Sequence, residues 1–260
     1  MKITNFSVDT GKMNNNAHFR IAHISDLHKK NFGENNILLV RKIEEICPDA
    51  VFMTGDMISR SSEDITPLKH LITGLSENFP VYYSMGNHEK DAAVTNRKLY
   101  TELMEFAGKY CTVLDNDTCF IKNENFTLRI SGLTVPQECY KVNGRYKNLK
   151  TISARDVNIL LNVNVRQVNC QDNVNVLLAH NPNFFDAYAE YGSDVILSGH
   201  VHGGCIKLPL IGGLLSPERK FFPKYYSGLY KKGTSSMIVS CGLGKFRLFN
   251  PPEICVIDIY

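Results

Sequence analysis

The sequence predicts an α/β fold built from two β-sheets. Three observations carry this. Short apolar runs alternate with helical stretches, the middle of the chain turns to closely spaced strands and polar turns, and no G-x-G-x-x-G follows the first strand. Alternation of this kind marks βαβ units, and the missing glycine fingerprint sets aside a dinucleotide-binding fold. The 260 residues, 43% hydrophobic and 21% charged, suit one large core. We read 1–260 as a single domain.

The elements follow in order. Residues 19–25, FRIAHIS, form a buried strand, and 34–46 carry apolar positions at helical spacing until Cys47-Pro48 stops the helix. AVFMTGD is the next strand, followed by a helix near 64–75, the strand VYYSMGN and a helix over 92–107. Residues 111–135 read as a meander with turns at Asn116-Asp117 and Asn123 to Asn125. A helix near 153–163 precedes the strands VNVLLAH and SDVILSGH, and SSMIVSCGLG and EICVIDIY return to strand.

Net charge is +3, too weak to imply nucleic-acid binding by charge alone. The eight cysteines include no C-x-x-C pair and several lie in apolar runs, so they read as small buried hydrophobes in a reducing compartment. The N-terminus shows no apolar signal region, and no run approaches the ~20 apolar residues of a membrane span. The expected location is the cytoplasm, with peripheral membrane contact compatible.

Five strands end in a short polar signature: Ser25-Asp26-Leu27-His28, Gly55-Asp56, Gly86-Asn87-His88-Glu89, Ala179-His180-Asn181 and Gly199-His200-Val201-His202. Sites in open α/β sheets form where the carboxyl ends of strands meet. Asp gives hard oxygen, His gives imidazole nitrogen and Asn a carbonyl oxygen, which is a metal-ligand set. Strand periodicity of two puts Asp26 with His28, and His200 with His202, on one side. Asp56 is suited to bridge two cations about 3.5–4 Å apart. The glycines at 55, 86 and 199 keep side chains from crowding the site. Each signature alone is weak, since a lone Asp-x-His arises by chance and a lone His is more often a core residue. Five in one order, each at a strand end, are not.

These blocks resemble the calcineurin-like metallophosphoesterase superfamily over residues 26–202: Asp-x-His, Gly-Asp, Gly-Asn-His-Glu, a lone His, then Gly-His-x-His. The resemblance implies a four-layer αββα sandwich of two mixed β-sheets flanked by helices, with a dinuclear centre. It implies a first metal on Asp26, His28, Asp56 and His202, and a second on Asp56, Asn87, His180 and His200. SDLH, GNHE, AHNP and GHVHGG, followed by Ile206 and Pro209, resemble the bacterial YkuE-like phosphodiesterase branch. Cys205 departs from that branch, where Gln is usual, and this chain shows no N-terminal membrane segment or export signal such as many members carry. GDMISRSS lacks the Asp-Arg-Gly of protein Ser/Thr phosphatases, and Ser59 stands where purple acid phosphatases have a Tyr ligand.

The expected activity is hydrolysis of phosphodiesters or phosphomonoesters by a metal-bridging hydroxide, with Asn87 and His88 as the catalytic pair. His88 serves as general acid or transition-state donor, oriented by Asp91 or Glu89. Mixed N/O ligation suits two Mn, Fe, Zn or Co ions, Mn being the choice for assay. His23 reads as packing, and His18 and His70 as surface residues. Residues 205–230 join apolar and aromatic residues to Lys207, Arg219, Lys220 and Lys224. They read as a packed loop with solvated charges, ahead of a substrate wall accepting a nucleotide or lipid-linked phosphate. The alternatives are a metal-bearing interaction module without turnover, and a nuclease.

Overall fold

A computed structural model describes residues 1–14, 17–146, 148–162, 173–204, 207–208, 212–217, 219, 221–244 and 250–260. The strands are β1 (Lys2–Val8), β2 (Phe19–Ile24), β3 (Ala50–Thr54), β4 (Val81–Ser84), β5 (Thr112–Leu114), β6 (Asp117–Lys122), β7 (Thr127–Leu133), β8 (Val174–Ala179), β9 (Val195–Ser198), β10 (Lys207–Leu208), β11 (Gly212–Gly213), β12 (Gly228–Lys232), β13 (Ser235–Val239) and β14 (Glu253–Ile259). The helices are α1 (Ile37–Glu44), α2 (Thr66–Ser76), α3 (Asn87–Thr95), α4 (Arg97–Tyr110), α5 (Ala154–Asn162) and α6 (Phe185–Tyr191).

Two six-stranded mixed sheets form the centre, in the orders β1-β14-β2-β3-β4-β5 and β12-β13-β9-β8-β7-β6. β2, β3, β4 and β5 run parallel, as do β7, β8, β9 and β13. Antiparallel pairs lie at β14–β2, β12–β13 and β6–β7. β10 and β11 make a separate two-stranded ribbon.

Alternating side chains explain the layering. Ile21, Phe52, Val176, Leu178 and Leu197 fill the space between the sheets. Ala22, Ile24, Val51 and Met53 face the other way, onto Leu39 and Ile43 of α1, Leu71 and Ile72 of α2 and Leu103 of α4. On the far side, Leu177, Ala179 and Ile196 pack on Val157 of α5 and Phe185 and Tyr188 of α6. The central strands are therefore buried on both faces, which is why they read as unbroken apolar runs. This is the αββα sandwich that the resemblance implied.

Two expectations need correction. The helix placed at 92–107 is two helices, α3 starting at Asn87 and α4 at Arg97. Asn96 breaks the run with φ −143° and ψ 69°, and its side chain accepts from Leu99 N at 3.3 Å to cap α4. The stretch 111–135 is not one meander: β5 extends the first sheet beside β4, and only β6–β7 is a hairpin, in the second. Its turn is closed by Asn123 Oδ1, which accepts from Asn125 N and Phe126 N, both at 2.9 Å. β1, β12 and α6 were not expected. β1 is an edge strand with mostly exposed or half-exposed side chains, so it lacks an apolar signal. Cys47 is exposed, whereas Cys139, Cys241 and Cys255 are buried, and the six described cysteines are free thiols. Cys170 and Cys205 lie outside the described residues.

Candidate metal centre

All five polar signatures follow the carboxyl ends of parallel strands, three in the first sheet and two in the second. Their side chains do not alternate on a pleat, as strand periodicity suggested. Asp26, His28, Asp56, His200 and His202 lie past the strand ends with φ between 52° and 71°. Such left-handed conformations cost about 1–2 kcal/mol each for residues with a Cβ. The surrounding hydrogen bonds hold them there. Asp26 N donates to Gly55 O at 3.0 Å, His28 N to Asp56 O at 3.1 Å and Leu243 N to Ser25 O at 2.9 Å.

The first-sheet loops present carboxylates with one oxygen held and the other turned inward. Asp26 Oδ2 accepts from Ser25 Oγ at 2.8 Å and from His200 N at 3.0 Å. Asp26 Oδ1 is buried without a hydrogen bond. Asp56 Oδ1 accepts from His88 N at 2.8 Å, and its Oδ2 lies 3.3 Å from His180 Nε2 and 3.6 Å from His88 Nε2. Asn87, first residue of α3, adds a buried Oδ1 that accepts no hydrogen bond.

The histidine tautomers follow from their partners, because a carbonyl only accepts. His180 Nδ1 donates to Thr54 O at 2.7 Å and His28 Nδ1 to Ile58 O at 3.3 Å. Both rings therefore turn an unprotonated Nε2 toward the carboxylates when neutral. His180 Nε2 is buried, makes no hydrogen bond and stands 3.9 Å from Asp26 Oδ1. His202 Nδ1 is 3.6 Å from the same oxygen. Three triads of donor atoms fall within 4.8 Å: Asp26, His28 and His202; Asp56, His180 and His200; and His28, Asp56 and His88. The seven expected ligands and His88 are thus gathered at one place.

Without a cation, this crowd of acceptors settles its charge by protonation. Burial lowers the His180 pKa, but Asp56 and Asp26 outweigh it and push it up to about 9. Burial raises the Asp56 carboxyl, yet His180, His88 and His28 hold it well below the usual carboxylate range. Buried oxygen and imidazole acceptors without donors are what a divalent cation satisfies, and the N/O mixture suits Mn, Fe, Zn or Co.

His88 Nδ1 accepts from the Arg60 backbone N–H at 2.7 Å. Its neutral ring therefore carries the proton on Nε2. The group on Nδ1 is this backbone N–H, where a carboxylate of Glu89 or Asp91 was the expected orienting group. Glu89 instead accepts from Asp56 N, Met57 N, Ile58 N, Gly86 N and Tyr83 Oη at 2.7–3.2 Å, gripping the loop that carries Asp56. In the sequence this residue is only a motif letter. Two further supports went unseen. Gly244 N donates to Asp26 O at 2.6 Å, and the Tyr140 ring stands edge-on to His200 at 5.1 Å. The SCGLG run after β13 was the available signal for the first.

The cavity over this cluster is about 110 Å³ and is lined by Asp56, Asn87, His88, Tyr140, His200 and His202, among others. From the 205–230 segment, Pro217 reaches it, while Phe221 and Phe222 are 68% and 61% exposed. Lys224 Nζ lies over the Tyr225 ring at 4.7 Å. Ile206, Pro209 and Lys220 lie outside the described residues. His18 is exposed, stacked on Tyr260, and His70 is half-buried. His23 is buried between the sheets, with Nε2 2.7 Å from Thr54 Oγ1.

The family profile of calcineurin-like phosphoesterases matches residues 19–204. The chain is a calcineurin-like phosphoesterase. Among its relatives, the Escherichia coli phosphodiesterase YaeI is 25% identical, over 94% of this chain and 83% of that protein. The Bacillus subtilis metallophosphoesterase YkuE is 26% identical, over 93% of this chain and 79% of that protein. Chlamydia muridarum LpxG, a UDP-2,3-diacylglucosamine pyrophosphatase, is 25% identical, over 91% and 82%. The phosphoesterase thus has hydrolase relatives of its own size, and its family carries divalent metals. Among the described residues, no helix is long and apolar enough to cross a membrane.

Proposed function

We propose that this phosphoesterase hydrolyses phosphodiester or phosphomonoester bonds with two divalent cations and His88. One observation carries the reading: Asp26 Oδ1, Asn87 Oδ1 and His180 Nε2 are buried without a hydrogen bond, and Asn87 lines a cavity together with Asp56, His200 and His202. The first cation would be held by Asp26, His28, Asp56 and His202, the second by Asp56, Asn87, His180 and His200. Bound there, the ions would lower the pKa of a water toward neutrality and neutralise the phosphoryl oxygens.

The chain's own residues do the rest. His88 presents an Nε2 proton to the cavity because Arg60 N–H occupies Nδ1. That proton goes to the departing oxygen as its bond to phosphorus breaks. His180 and His28, held by carbonyl groups through Nδ1, keep their lone pairs aimed inward rather than swinging between rotamers. Glu89 and the Ser25–His200 pair of donors fix the two carboxylates. Substrates to try are nucleotide and lipid-linked phosphates, as the name of LpxG suggests.

The test uses purified protein with Mn²⁺ against p-nitrophenyl phosphate, bis(p-nitrophenyl) phosphate and single-stranded DNA. Turnover of the small esters is expected, and His88→Ala should cut it by on the order of 10²-fold or more with metal content kept. A metal-loaded wild type inert to every substrate sinks the hydrolase and leaves a binding module. Preferential degradation of DNA makes it a nuclease.

A further inference from the structure

Asp91 lies one turn into α3, 7% exposed, and takes part in none of the metal triads. Its carboxylate gathers donors from two other segments of chain. Arg60 Nε pairs with Oδ2, Lys141 Nζ lies 3.2 Å from the same oxygen, and Gln137 Nε2 donates to Oδ1 at 2.5 Å. Two cations against one carboxylate leave the cluster net positive. Arg60 and Lys141 both line the cavity that holds Asn87 and His88.

Neither cation is used up. Arg60 meets Asp91 through Nε, one of the five N–H donors of its guanidinium. Among the described residues, Lys141 has Asp91 as its one partner, and its side chain is only 22% exposed. Arg60 is tied to the leaving-group side of the site, since its backbone N–H holds the His88 ring. Size adds a constraint. A cavity of about 110 Å³ is well below the roughly 300–1,000 Å³ that encloses a whole small ligand. It has room for a phosphoryl group, and Arg60 and Lys141 stand in its lining beside Asn87 and His88.

We propose that Arg60 and Lys141, fixed by Asp91, form a second anion subsite, and that the substrate carries a further phosphate on its leaving side: it is a phosphoanhydride. This rests on the phosphohydrolase reading and narrows it. In the reaction, the oxygen of one water bonds to the attacked phosphorus, and the bond from that phosphorus to the bridging oxygen breaks. The electron pair stays on the bridging oxygen, in the departing phosphate. The two protons of the water end on the two phosphate products or in solvent. The departing phosphate carries negative charge besides the oxygen that His88 protonates, and an Arg–Lys pair neutralises that charge.

The test is calorimetric binding of UDP and of UMP, at fixed Mn²⁺, to wild type and to the Arg60→Gln, Lys141→Gln double variant. Wild type should bind UDP tighter than UMP by roughly tenfold or more, since charge-assisted hydrogen bonds of this kind carry that much. The double variant should bring the two affinities within about threefold. A merely structural loss would weaken both nucleotides alike and leave their ratio standing. Should the double variant fail to fold by circular dichroism, Lys141→Gln alone should lower the ratio in part. A wild type that binds UDP no tighter than UMP overturns the proposal, as does a preference that survives the substitutions. Binding needs no turnover, so an inactive protein sinks the phosphohydrolase reading while a flat ratio in an active one sinks only the subsite.

Discussion

Glu89 sits behind the site, fully buried, and satisfies four backbone N–H groups and the Tyr83 hydroxyl. Burial, and then the charge of Asp56, raise its pKa, against the opposing pull of His180 and the backbone N–H donors. Glu89→Gln turns one acceptor into an NH₂ facing N–H groups. We expect a loss of about 2–3 kcal/mol in urea unfolding. Mn²⁺ affinity should fall roughly 10–100-fold. Unchanged Mn²⁺ binding would mean that the Asp56 loop holds itself. His23 gives a pH signature. Burial pushes its pKa down to about 3. The unfolded chain, near 6.5, thus takes up a proton that the native ring refuses, and stability falls as pH drops from 6.5 toward 3 by about 1.4 kcal/mol per unit. Other buried acids steepen the same limb, so the measurement is a difference. His23→Gln should have the shallower dependence of unfolding free energy between pH 6.5 and 4.5, and identical slopes would remove His23 from the linkage.

At the scale of elements, the strand ends were legible because the central strands are buried on both faces and stop at polar signatures. Their local geometry was not. A period-two reading pairs Asp26 with His28, and the structure pairs them too, but through left-handed loop residues that no apolar pattern encodes. The start of α3 was missed for a related reason: Asn87, His88 and Glu89 are polar and buried, so hydrophobic periodicity is silent there. Gly86, the residue before α3, explains the close seating of this helix on the Asp56 loop. A Cβ there would run into Asp56 N and Asp56 Oδ1, with Glu89 Oε2 at 2.9 Å. Gly86→Ala should therefore lower the melting temperature and abolish tight Mn²⁺ binding together. Gly108, exposed in α4, is the control, because a methyl group added there would meet nothing within 4 Å. Gly108→Ala should add roughly 0.5–1 kcal/mol by helix propensity and leave Mn²⁺ binding alone. A Gly86→Ala protein that binds Mn²⁺ like wild type would show that the helix can move off the loop at little cost.

At the scale of the molecule, the two sheets are held by an apolar layer along their length and by polar contacts at one edge. Asp26, His28, Asp56 and Asn87 follow strands of the first sheet, and His180, His200 and His202 follow strands of the second. His180 Nδ1 on Thr54 O and His200 N on Asp26 Oδ2 already cross between them. A cation taking ligands from both sides would add to that edge, binding the native state and not the unfolded chain. Its effect follows mass action, about 2.7 kcal/mol at a hundred times the dissociation constant. For a chain of this length that is a rise of about 5–10 °C in melting temperature, reversed by EDTA. Removing a donor from either sheet should blunt the rise, so Asp26→Asn and His200→Ala are the pair to compare by scanning calorimetry with graded Mn²⁺. If His200→Ala responds to Mn²⁺ like wild type while Asp26→Asn does not, the cation belongs to the first sheet alone and the edge is closed by hydrogen bonds without it.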